Sequence, residues 1–292
     1  MAVTITAEQV KKLRDQTGAG MMECKAALTE AHGDVEAANT ILRKRGLASA
    51  AKKAGRATSE GLIAHWLSDD HTHGILAEIN CESDFVARTD DFQQLMAGVL
   101  ADIRQAGGAA NEAWLKDPNG PVHRRVTALI AKLGENMAVP RFLQYQGQGY
   151  VGQYIHLGGK VGVQVELGGV TAAVAGHEAF RTLVKEVAMQ IAAASPACAL
   201  YPSRQAVPAE VLEKERAIYR AQMEGSGKPA NVLDKIVEGK LGGYYGQFVL
   251  VDQPYIRDQK MTVADVVAAA NTALGAQISV TRFARFKVGD TA

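Results

Sequence analysis

Gly61-Leu62-Ile63-Ala64-His65 and Gly152-Gln153-Tyr154-Ile155-His156 read as two versions of one strand, and this pair decides the fold. The offset between them is 91 (152 − 61 = 91), and the residues after each copy repeat as well. Gly74-Ile75-Leu76-Ala77-Glu78-Ile79 returns as Gly162-Val163-Gln164-Val165-Glu166-Leu167, at an offset of 88 (162 − 74 = 88). Phe92, Leu95, Val99 and Ile103, spaced as one face of a helix, return at the same offset as Phe180, Leu183, Val187 and Ile191. Each copy reads strand, turn, strand, loop, helix: a hairpin covered on one face by a helix. The likeness is weak residue by residue but holds through three elements in order. It predicts an α+β fold with two related core subdomains.

Upstream, residues 1–56 read as a three-helix module and a linker. Thr6 and Gln9 make a capping box ahead of a helix over 7–16. Thr17-Gly18-Ala19-Gly20 breaks it, and a second helix carries Met21, Met22 and Leu28 among its apolar positions. Gly33-Asp34 is stop and cap for a third helix with Val35, Ala38, Ile41 and Leu42 at helical spacing. The run RKRGLASAAKKAGR over 43–56 holds six basic residues and no acidic one. It reads as a solvated helical or mobile linker in preference to a nucleic-acid patch, since no aromatic residue is there to stack on bases.

Downstream, Val122, Val126, Leu129, Ile130 and Leu133 mark a helix over 121–137 between the copies. After the second copy, Val211, Leu212, Ile218, Tyr219 and Met223 face Val232, Leu233, Ile236, Val237 and Leu241 across Gly225-Ser226-Gly227-Lys228-Pro229. That pattern is an antiparallel helical hairpin, an arm of about 17 residues and roughly 25 Å. A strand over 247–251, a helix from its cap at Thr262 to Gly275, and a last strand over 278–286 complete the expectation. The core subdomains are then 57–145 and 146–204 with 242–292, and the hairpin insertion is 205–241.

Composition narrows the function. The 292 residues are a prior for about two domains, and 47% hydrophobic with 22% charged residues is an ordinary globular balance. No run approaches the ~20 apolar residues of a membrane span, and the start has no signal-peptide h-region. Cys24, Cys81 and Cys198 are odd in number and widely spaced, as expected of reduced thiols in a cytoplasmic protein with no zinc site. A net charge of +1 gives no broad footprint for nucleic acid.

The motifs that invite chemistry mostly fail on context. Gly147-Gln148-Gly149-Tyr150-Val151-Gly152 fits the dinucleotide fingerprint, but a strand is expected next, where the pyrophosphate needs a helix N-terminus. An oxidoreductase built on it is therefore disfavoured. No phosphate-binding Gly-Lys-Ser/Thr loop is present, so no cofactor is expected. His71 and His73 sit with Asp69 and Asp70 in a turn that reads as solvated, not as a metal site. Asn80-Cys81-Glu82-Ser83-Asp84-Phe85-Val86-Ala87-Arg88 has two readings. Either Phe85 and Val86 are core with Asp84 as cap, or a loop presents an acid and a ring to a partner. Met21 and Met22 are likewise either core or an adaptable contact surface.

Several runs resemble the bacterial elongation factor Ts family. Leu13-Arg14-Asp15-Gln16-Thr17-Gly18-Ala19-Gly20-Met21-Met22-Glu23-Cys24-Lys25-Ala26-Ala27-Leu28 resembles its first signature. Ala50-Ala51-Lys52-Lys53-Ala54-Gly55-Arg56 and Ser83-Asp84-Phe85-Val86-Ala87 resemble two more. Gly134-Glu135-Asn136-Met137, the hairpin turn and Gln253-Pro254-Tyr255 fall where the family places similar segments. The resemblance implies a ubiquitin-associated-like N-terminal domain, two core subdomains and an inserted hairpin suited to dimerisation.

The activity it implies is guanine nucleotide exchange on elongation factor Tu during translation, with no active site of the protein's own. By the resemblance, Arg14, Met21 and Met22 contact the partner's GTPase domain, Asp84 and Phe85 enter that domain near its magnesium site, and His156 touches another partner domain near the phosphate-binding side. Three departures stand out. Gln16 replaces a common arginine, Pro140 sits where two basic residues are common, and the stretch after Phe286 is shorter than in members that continue into a contacting C-terminal helix. The alternative is an adaptor that binds through the N-terminal domain without accelerating nucleotide release.

Overall fold

The computed structural model describes residues 4–147, 149–223 and 229–290. The chain divides into two compact units, one of residues 1–65, 77–143 and 287–292, the other of 66–76 and 144–286.

The first unit opens with α1 (Ala7–Thr17), α2 (Met21–Glu30) and α3 (Val35–Lys53). Thr6 accepts from the Gln9 N–H while the Gln9 side chain accepts from the Thr6 N–H at 2.9 Å, so the capping box is formed. Gly18, at φ 70°, ends α1 by donating to the Arg14 carbonyl at 2.7 Å. Asp34 caps α3. Val10, Leu13, Cys24, Ala27, Leu28 and Ala38 form the module's core. The third helix does not stop after Leu42. It runs through the basic stretch to Lys53 and packs on α7, with Gly46 against Ala131. Of the two forms expected for that linker, helix is the one adopted.

Next along the chain come β1 (Glu60–Leu67), β2 (His73–Cys81), α4 (Asp84–Ala87), α5 (Asp90–Ala106), α6 (Glu112–Leu115), α7 (Pro121–Leu133) and β3 (Met137–Gln146), the strands ordered β1-β2-β3, of which residues 66–67, 73–76 and 144–146 fall in the second unit. Phe92, Leu95, Val99 and Ile103 are all buried along α5. Helix α7 ends earlier than 137 because Gly134 takes φ 80° and donates back to the Ile130 carbonyl.

The second unit holds β4 (Tyr150–His156), β5 (Val161–Gly168), α8 (Ala172–Ala175), α9 (Glu178–Ala193), α10 (Ala209–Ala221), α11 (Ala230–Phe248), β6 (Pro254–Tyr255), β7 (Asp258–Thr262), α12 (Val263–Leu274) and β8 (Ser279–Lys287). Strands β4 and β5 pair antiparallel from Tyr150↔Leu167 to His156↔Val161, and β8 lies beside β5. Helix α9 covers β4 and β5, burying Phe180, Leu183, Val187 and Ile191 against Val163, Val165 and Leu167.

The duplication is deeper than the sequence pattern. The one-turn helices α4 and α8 match at the same offset (172 − 84 = 88), capped by Ser83 and Thr171. Glu78 in β2 and Glu166 in β5 also match, and each buried carboxylate pairs with an arginine on the third strand. Glu78 meets Arg141 at 2.8 Å, and Glu166 meets Arg282 at 2.5 Å. The arginines lie 141 apart (282 − 141 = 141), as do Gly134 and Gly275 at the ends of α7 and α12. Each copy is therefore strand, strand, helix, helix, strand. The second copy has 53 residues more between its helices (141 − 88 = 53), and these include α10 and α11.

That insertion is a hairpin of unequal arms, 13 residues in α10 and 19 in α11, where about 17 each was expected. Gly225-Ser226-Gly227-Lys228 of the expected turn lie outside the described residues. Arg216 to Glu238 at 3.0 Å and Arg220 to Asp234 at 3.3 Å link the two helices. Helix α10 has no fully buried residue, whereas Val237, Leu241 and Tyr244 of α11 are buried. The strand expected over 247–251 is not one. Helix α11 runs to Phe248, and Leu250–Asp252 form a 3-10 turn. Val249 and Leu250 are fully buried, so the apolar run is real, but only an isolated parallel bridge to Tyr201 resembles sheet. The short β6–β7 pair had no sequence signal. Among the described residues, no helix is long and apolar enough to cross a membrane.

Candidate functional site

Phe85 is 82% exposed, the most exposed large apolar side chain among the described residues. The reading of Phe85 as core is therefore corrected, and so is that of Asp84 as cap. Ser83 is the cap, accepting from the Val86 N–H at 3.4 Å, and Asp84 and Phe85 start a helical turn instead of a loop.

That turn is gripped from both ends. Before it, Ser83 gives its hydroxyl and its N–H to the two carboxylate oxygens of Glu135, at 2.6 and 3.0 Å. After it, the Thr89 hydroxyl donates to the Val86 carbonyl at 2.8 Å and caps α5 by accepting from the Phe92 N–H. Ala87 is buried beneath. Glu82 accepts from the Asn136 N–H at 2.6 Å, and Asn136 donates to the Arg56 carbonyl at 2.8 Å. Three runs distant in sequence, around Arg56, Ser83 and Glu135, thus build one pedestal under one exposed ring. Glu135 and Asn136 stand in a run that carries the family resemblance, but this task emerges only once α7 has returned the chain to β2.

The second copy supplies a comparison. Its α8 turn has the same capped geometry, but Ala172 and Ala173 stand where Asp84 and Phe85 stand in α4. The fold tolerates methyl groups there, so burial does not explain the ring. Asp84 is paired with Arg88 at 2.8 Å in an exposed i,i+4 contact, of the kind that contributes about 0.3–0.5 kcal/mol and is readily exchanged for another partner.

Arg14 is exposed on the last turn of α1, and Met21 and Met22, at 50% and 76% exposure, open α2 after the Gly18-Ala19-Gly20 turn. The core reading of the two methionines is overturned. Cys24, Ala27 and Leu28 take the inward positions of α2. His156 is exposed at the end of β4, its Nδ1 3.0 Å from the Tyr154 hydroxyl and its ring stacked on the tyrosine at 5.7 Å. Asp84 and Phe85 share one turn, and Arg14, Met21 and Met22 flank another in the same unit, while His156 belongs to the second unit.

The glycine-rich run is structural. Strand β4 starts at Tyr150, so no helix N-terminus follows, and Gln148 lies outside the described residues. A Cβ on Gly147 would stand 1.9 Å from Glu166 Oε1, and one on Gly152 would stand 2.3 Å from Val184 Cγ1. These glycines let the Glu166–Arg282 pair and α9 approach the backbone. His71 is not simply solvated. It is half-buried, with Nδ1 3.0 Å from the Val151 carbonyl and its ring stacked on Tyr150 at 4.3 Å. Among the described residues, no group of three metal-ligating side chains converges.

Comparison with known proteins adds the family. A family model described as "Elongation factor TS" matches residues 82–290. Elongation factor Ts of Trichlorobacter lovleyi is 44% identical over 294 residues, covering 99% of this chain and 94% of the relative. That of Aquifex aeolicus is 41% identical over 299 residues, covering 99% of both, and that of Clostridium acetobutylicum is 42% identical over 291 residues, covering 98% and 93%. With likeness of this depth over nearly its whole length, the chain belongs to the elongation factor Ts family.

Proposed function

We propose that the protein is a translation elongation factor that binds elongation factor Tu carrying GDP in the cytoplasm and speeds the release of that nucleotide. It has no reaction chemistry of its own. The observation that carries this reading is Phe85, exposed on a turn pinned from both sides. A GTPase holds GDP through a phosphate-cradling loop and a magnesium ion bridging phosphate oxygens. A ring driven into the helices beside that site displaces them, and the Asp84 carboxylate, exchanging Arg88 for a new partner, disturbs the groups that orient the magnesium shell.

The magnitudes are adequate. Burying a phenylalanine side chain contributes roughly 2–3 kcal/mol, and each 1.4 kcal/mol taken from GDP affinity weakens it about tenfold. Linkage makes the effect reciprocal, so GDP weakens the factor's grip by the same ratio and the complex turns over. Arg14, Met21 and Met22 supply a second contact with the GTPase domain, and His156 supplies one with another partner domain near the phosphate-binding side. The α10–α11 hairpin, with Ile218 and Val232 exposed, is the surface for self-association.

The test is release of a fluorescent GDP analogue from purified elongation factor Tu. Acceleration by catalytic amounts of this protein is expected. The adaptor reading, favoured by the exposed methionines alone, expects saturable binding with an unchanged release rate.

A further inference from the structure

Of the large apolar side chains exposed among the described residues, only Leu157 sits on a left-handed backbone, at φ 51° and 66% exposure. It heads the β4–β5 turn, followed by Gly158 at φ 62° and Gly159 at φ 97°. L residues with a side chain beyond Cβ reach that region only at a cost, and glycine reaches it freely. An exposed leucine in a turn that otherwise uses glycine is thus unfavourable twice over, in backbone and in solvation.

The matching turn of the first copy, between β1 and β2, shows what the fold itself requires. Its left-handed residue is His71, at φ 56°, and that side chain has internal partners in Val151 and Tyr150. The rest of the turn is polar. Asp70 accepts from the Ser68 hydroxyl and from the backbone and hydroxyl of Thr72, which hold its carboxyl down to about 2. A strained residue there is a device of the fold; an apolar one facing solvent is not. The asymmetry mirrors that of α4 and α8, where the first copy carries Phe85 and the second only Ala173.

We infer that Leu157 is a partner contact of the second unit, seated in a shallow apolar pocket of the same GTPase. The inference rests on the exchange-factor reading: His156, the adjoining residue, is the one that reading sets against elongation factor Tu, so Leu157 continues that contact. Tyr154, through its hydrogen bond and stacking on His156, keeps the approach to the turn ordered.

Leu157→Gly separates contact from structure, because glycine suits the backbone better than leucine does. The full-length variant is expected to bind nucleotide-free elongation factor Tu at least fivefold more weakly, with its melting temperature unchanged or raised. Leu157→Asn, polar and tolerant of the left-handed region, should behave alike, and Leu157→Met should restore most of the affinity. Wild-type affinity in Leu157→Gly, a fall in melting temperature alongside lost binding, or no rescue by methionine overturns the inference. So does a change in self-association of Leu157→Asn by sedimentation without the partner, which would make a second copy the occupant. If wild type accelerates GDP release and Leu157→Gly matches it, this inference alone fails. If wild type does not accelerate release, the exchange reading fails first and this one with it.

Discussion

Replacing Phe85 by alanine should slow partner-stimulated GDP release about thirtyfold while leaving the fold intact. The ring is 82% exposed in the free protein, so nearly all the free energy of burying it remains available to a complex. Full burial of a phenylalanine side chain is worth roughly 2–3 kcal/mol, of which alanine keeps a small part, leaving a deficit of about 2 kcal/mol. At 1.4 kcal/mol per decade, that is roughly a thirtyfold loss in the stimulated rate at sub-saturating factor. Stability should change by less than about 0.5 kcal/mol, since exposed substitutions rarely do more and Ala173 already occupies the matching place in α8. Stopped-flow release of fluorescent GDP reads the first quantity and a urea transition the second. A variant as fast as wild type, or one slowed only in proportion to a lost transition midpoint, would refute the wedge.

Ser83→Ala removes the cap of α4 and the hydroxyl held by Glu135, while Phe85 stays in place. A loss of about 1 kcal/mol in stability and a several-fold slower release are expected, read by urea melt and the same release assay. Alanine at both Met21 and Met22 should raise the dissociation constant about tenfold by calorimetry with the thermal transition unmoved, since both side chains are half or more exposed. Glu78→Ala takes one acceptor from Arg141, which keeps the Lys287 carbonyl, and leaves the Gly289 N–H without the carboxylate it donates to; it should cost about 2–3 kcal/mol in denaturant unfolding. The matching Glu166→Ala should cost less, because the Arg282 side chain is 46% exposed and water can take over from the carboxylate. Equal losses for the two would show that the copies are not energetically distinct at this pair.

Legibility in the sequence followed periodicity. The two hairpins, the helices covering them and the Thr6 and Asp34 caps could be read because apolar spacing and cap chemistry are local. The one-turn helix at Asp84 escaped, since four residues carry no period, and its pedestal escaped because Glu135 reaches Ser83 only through the fold. The apolar run from Phe248 to Leu250 misled for a related reason. A short buried stretch reads alike as strand or helix end, and here α11 had not finished. The arginine–acid pairs were invisible as pairs, because matching Glu78 to Arg141 requires knowing that β3 lies beside β2. Exposure of Met21, Met22 and Phe85 was likewise undecidable from residue type, because apolar side chains default to the interior unless other residues already fill it.

The two-helix arm has an uneven grip. Its base is rooted by Leu241 and Tyr244, but toward the tip charged side chains do much of the joining, with Arg220 and Asp234 both more than half open to water. Attraction of that sort fades as salt shortens its reach to about 8 Å at physiological ionic strength, whereas apolar contact at the root does not. Raising the salt concentration thus weakens the described contacts between the two helices above the root while leaving the apolar root as it is.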